Sequence, residues 1–128
     1  MINEAFGWLW IVGGFLTGGL LGIGFDRETF LGGYASWARR LLRLGHIAMI
    51  ALGVLNILFA QSVVRSGLDP AWNSLGSWSL ITGAVLMPGA CALCAFRPKA
   101  KPVFALPVVA LTLGASIIGV GLVIGGMS

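Results

Sequence analysis

The chain has 128 residues, of which 58% are hydrophobic, only 9% are charged and 20 are glycine, and its mean hydropathy is +0.98. Charged residues make up about a quarter of an ordinary globular chain, so this composition excludes a water-soluble domain, and the lack of a glycine triplet repeat excludes collagen. The net charge of +4 comes from separated clusters of two or three cations, a poor footprint for a duplex, so no nucleic-acid partner is expected.

These features define an all-α fold: an integral membrane bundle of four transmembrane helices forming one domain over residues 1–128. No charged or histidine side chain falls between Ala5 and Phe25, which matches the ~20 apolar residues needed to cross ~30 Å of hydrocarbon. The first span is therefore expected at about 6–25. Its leader Met1-Ile2-Asn3-Glu4 holds an acid where a secretion signal needs positive charge, so the span reads as a retained helix. A charged connector from Asp26 to Arg43 leads to span two at about 44–64, uncharged apart from the titratable His46. In that connector Tyr34, Trp37, Leu41 and Leu44 recur at helical spacing beside Arg39, Arg40 and Arg43. The stretch is expected on the inner membrane surface, with the three arginines at lipid headgroups.

Asp69-Pro70 reads as an N-cap and first helical residue of a short outer helix that Gly76 breaks. Span three follows at about 78–96, a basic turn from Arg97 to Lys101, and span four at about 103–124. With four spans, the two connectors on one side hold Arg27, Arg39, Arg40, Arg43, Arg97, Lys99 and Lys101, leaving only Arg65 opposite. The positive-inside rule then places both connectors in the cytoplasm and both termini outside, as in a bacterial inner membrane. Trp8, Trp10, Trp72 and Trp78 fall near the outer boundary and Trp37 near the inner one, as interfacial indoles do.

Gly14, Gly18 and Gly22 in span one, and Gly121 with Gly125 in span four, are expected to let span one approach span four or a second subunit. Pro88 sits mid-span and should kink it, freeing the carbonyl of Ala84 for another partner. Asn56 is costly in hydrocarbon unless paired, and Thr17 and Thr112 reach comparable depths, so an interhelical hydrogen bond is expected there.

The residues able to carry chemistry are few. His46, Met49, Cys91 and Cys94 lie at matching depths, within about 9 Å of the inner boundary at the helical rise. Imidazole with soft sulfur suits copper or zinc, with Met49 or Met87 as a further ligand. A haem held by His46 with a methionine, or by two His46 side chains across a dimer, is the other cofactor this set allows. No acidic residue lies inside a span, so proton-coupled export through an embedded carboxylate is excluded. No phosphate-binding loop or nucleophile elbow is present either, and no enzyme activity is expected. Beyond the lipid bilayer itself, the leading expectation is an accessory or scaffold subunit docked to other membrane subunits, in a respiratory or redox complex, or to a second copy. The rivals are a metal- or haem-binding protein centred on His46, and a passive path for a small solute lined by Thr17, Asn56 and Thr112.

Overall fold

A computed structural model describes residues 1–128. It is all-helical: α1 (Ile2–Phe25), α2 (Trp37–Val63), α3 (Pro70–Phe96) and α4 (Ala105–Met127), with 3-10 turns at Phe30–Gly32 and Pro98–Phe104. All four helices are long and apolar enough to cross a membrane. Of 102 backbone hydrogen bonds 88 close within these elements, the condition a chain must meet where no water can satisfy its peptide groups.

The helices pack in chain order, α1 on α2, α2 on α3 and α3 on α4. The connectors α1–α2 and α3–α4 therefore share one end, here called the basic end. Lys101 Nζ of the second connector stands 5.0 Å over the ring of Trp37 at the start of α2.

Three helices begin earlier than the charge pattern predicts. Asn3 is fully buried in the first turn of α1, not part of a free leader. Ser36 caps α2 by accepting from the Arg39 N–H at 3.2 Å, so Trp37, Leu41 and Leu44 belong to α2 itself and form no separate surface helix. Pro70 opens α3 at its first turn, and Gly76 does not break it. Instead Gly76 is buried where a side chain would meet Phe59 and Ile117. Polar residues that make interhelical bonds extend a helix beyond its apolar run, and hydropathy cannot register that.

The glycines act between sequence neighbours. A β-carbon at Gly7 would stand 2.5 Å from the Gly53 carbonyl oxygen, and one at Gly53 2.7 Å from that of Gly7; glycine at both positions allows α1 and α2 to touch backbone to backbone. Gly14 and Gly18 continue this seam against Ile50 and His46, whereas Gly22 faces open space. The expected packing of α1 on α4 does not form: those two helices are the opposite flanks of the row. Gly121 and Gly125 seat the α2–α3 connector instead, next to Leu68 and Gly67, with the Gly67 N–H donating to the Gly121 carbonyl at 2.9 Å.

Proline-freed carbonyls are answered by indoles. Pro88 has no N–H to offer Ala84, and the Ala84 oxygen accepts from Trp10 Nε1 at 3.1 Å. Pro98 likewise leaves the Cys94 carbonyl free, and Trp37 Nε1 donates to it at 2.8 Å. Trp10 is thus no boundary residue; stacked on Phe6 at 5.2 Å, it crosses from α1 to the middle of α3.

Asn56 is paired as expected, but with neither threonine. Asn3 Nδ2 donates to its Oδ1 at 2.8 Å, its own Nδ2 donates to the Leu52 carbonyl at 2.9 Å, and Ser77 Oγ donates to Asn3 Oδ1. This buried triad joins α1, α2 and α3 near the end opposite the basic one. Replacing Asn3 with Ala leaves the Asn56 oxygen without a partner, and the expected cost is about 1–3 kcal/mol, read as a lowered unfolding midpoint in detergent. Trp10→Phe is expected to cost about 0.6–1.5 kcal/mol in the same measurement, because one hydrogen bond is lost and ring packing is kept.

Candidate functional site

α1 and α3 are tied across α2 at two levels, Asn3 to Ser77 and Trp10 to Ala84. Toward the basic end, about 10 Å beyond the second tie at the helical rise, they part. The gap is a cavity of about 280 Å³. Its walls are Thr17, Leu20 and Leu21 of α1, and Pro88, Cys91 and Ala92 of α3; Leu42, Gly45, His46 and Met49 of α2 form the floor. No charged side chain lines it.

His46 carries the only aromatic ring in this lining, and α1 holds it at two points. Gly18 makes room for it: a β-carbon there would stand 2.8 Å from Nε2 and 2.9 Å from Nδ1. Nδ1 lies 2.6 Å from the carbonyl oxygen of Gly14. A carbonyl can only accept, so Nδ1 is the donor, and the neutral imidazole keeps its lone pair on Nε2. The Thr17 hydroxyl sits 3.0 Å from the carbonyls of Gly13 and Gly14 and 3.7 Å from Met49 Sδ. Its proton is thereby committed, so it brings an acceptor and a methyl group to the cavity wall.

The expected metal set is only partly assembled. His46, Met49 and Cys91 line one cavity, but Cys94 turns away to a buried cluster with Leu41 and Ala95. No three histidine, cysteine or acidic side chains converge on one point. Met49 leans on Gly13 and Thr17 of α1, while Cys91 packs beside Gly45 from α3. Met87 is outside the lining. A haem clasped by His46 and Met49 within one chain does not fit: three residues apart on α2, they share one helical face and cannot take opposite sides of one iron.

The expected solute path does not line up. Asn56 is sealed in its triad, Thr17 lies at the His46 cavity, and Thr112 is exposed on α4, so the three do not face one another. The arginine cluster also divides. Arg40 is exposed. Arg39, expected at headgroups, is 1% exposed, with its guanidinium 4.7 Å from the Phe25 ring centroid and 5.6 Å from that of Phe30. It donates to the Arg27 carbonyl, and its Nε has no partner. Arg43 is half-buried over Tyr34, 4.9 Å from its ring centroid. The spacing of cations cannot say which of them a connector will fold over.

Leu20, Leu21, Leu42, Gly45 and Ala92 complete the cavity without having been singled out in the sequence, and Pro88 was singled out only for its kink; Gly45, next to His46, and Pro88, one turn before Cys91, were the available signals. No protein-family model, curated protein or solved structure matches this chain.

Gly18→Ala is expected to push the His46 ring off its seat and break its bond to Gly14. The measurement is the imidazole nitrogen resonances of labelled protein, which this chain makes unambiguous because His46 is its only histidine. Gly22→Ala, which meets open space, is expected to leave those resonances where they are.

Proposed function

We propose that this chain is a multi-pass protein of a bacterial inner (cytoplasmic) membrane, with both basic connectors in the cytoplasm, that binds a small apolar ligand in the cavity headed by His46. The observation that supports this reading is the pairing of an uncharged intramembrane cavity with a ring nitrogen that has no partner in the protein. Isolated polar groups are costly in hydrocarbon, and a ring held by Gly14 and Gly18 with its second nitrogen unused is pre-organised for a ligand. Leu20 at the rim is 70% exposed, so the ligand enters sideways from the acyl chains. The orientation rests on the cations: seven of the eight lie at the basic end, in the two connectors and the first two turns of α2.

Native mass spectrometry of protein released from its own membrane is expected to show a bound small molecule. Ala92→Phe, which fills the cavity, should abolish it, and an identical spectrum for the two proteins would overturn the reading. For orientation, a cysteine at Lys99 in a Cys91→Ser, Cys94→Ser background is expected to react with an impermeant maleimide only after the cells are opened. Labelling of intact cells would place that connector outside.

A second reading, an accessory subunit or homo-oligomer, is favoured by the open glycines of the flanking helices, Gly19 and Gly22 on α1 and Gly119 on α4. Bulky substitutions there, such as Gly22→Leu, are expected to release a partner seen on mild extraction while leaving the unfolding midpoint unchanged. A monodisperse monomer from the parent protein would remove this reading.

A further inference from the structure

Building on the cavity reading above, we infer that the ligand is a membrane-soluble phenol, a single ring with a free hydroxyl and an apolar tail, and that its hydroxyl donates to His46 Nε2. The polarity of the site sets the first requirement. Nδ1 is spent on Gly14 and the Thr17 proton on backbone carbonyls or Met49. Cysteine offers only a weak S–H donor at Cys91. What the cavity presents is therefore an acceptor, and a quinone, ketone, ester or ether would set lone pair against lone pair. A hydroxyl completes the bond. With no charged side chain in the lining, an ionic ligand would stay unpaired in a dry site, so the ligand is neutral.

Size and lining set the rest. A volume of about 280 Å³ is nearly twice the ~150 Å³ of a cavity that takes benzene, the space of one substituted ring and far more than a metal ion fills. Met49, part-exposed in the lining, brings a thioether to that space, with Cys91 fully buried behind it, and sulfur favours contact with an aromatic ring. An aromatic hydroxyl, more acidic than an alkyl one, is also the stronger donor to imidazole. Because α1 and α3 part at this level, a tail can leave past Leu20 into the bilayer.

The test uses the full chain in lipid nanodiscs with para-hexylphenol and its methyl ether as probes. The phenol is expected to bind and to move the Nε2 resonance of labelled His46, and the ether, equal in shape but without a donor, to bind about tenfold more weakly. His46→Phe should take both probes equally, and Ala92→Phe neither. Equal affinities for phenol and ether in the parent protein, or an Nε2 resonance that does not move, would overturn the phenol assignment while leaving the cavity as a binding site. Failure of both probes, together with identical native spectra for the parent and Ala92→Phe proteins, would overturn the cavity reading as well. Stoichiometric copper or zinc in the parent protein that His46→Phe loses would assign the imidazole to a metal and overturn the phenol.

Discussion

Satisfaction of backbone polar groups inside an almost wholly apolar chain is the constraint on which this structure depends. Helices meet it everywhere except where proline withdraws a donor, and at Ala84 and Cys94 the missing partner comes from a tryptophan of another helix. Each bond therefore does two things at once: it repairs a ladder and fixes the register of two helices. The Trp10 bond decides the level to which α1 stays against α3. It thus sets the roof of the cavity, and His46 lies beneath that roof because the glycine seam of α1 and α2 holds them in register.

The helix count was readable from the sequence because gaps between charges are a direct report of segments that reject water. Helix ends were less readable. Asn3, Trp37 and Ser77 carry polar atoms whose partners are on other helices, and a hydropathy profile treats such residues as outside the apolar run. Partner choice was not readable at all from the glycine stripes. Gly14, Gly18 and Gly22 have the same chemistry, yet the first two meet α2 and the third meets nothing, since a small residue permits close approach without naming the neighbour. The free carbonyl of Ala84 could be foreseen from Pro88, but its donor could not, because Trp10 looks like any interfacial indole until the helices are placed.

The candidate site was half-visible for a similar reason. Depth counting put His46, Met49, Cys91 and Cys94 near one level, but level is one coordinate of three. Rotation about α3 sends Cys91 to the cavity and Cys94 to Leu41. What the count could not register was empty volume, and here volume bears on the chemistry: a metal ion needs ligands that converge, and no three histidine, cysteine or acidic side chains do so. The proton on Nδ1, fixed by the Gly14 carbonyl of α1, is a further detail that exists only in three dimensions.

Arg39 carries a different consequence. A guanidinium cannot be discharged at any physiological pH, and this one lies beneath two phenylalanine rings with a backbone carbonyl as its hydrogen-bonding neighbour. Its hold on the α1–α2 hairpin is therefore of a kind that neither acidification nor added salt loosens, since counter-ions cannot reach a shielded charge.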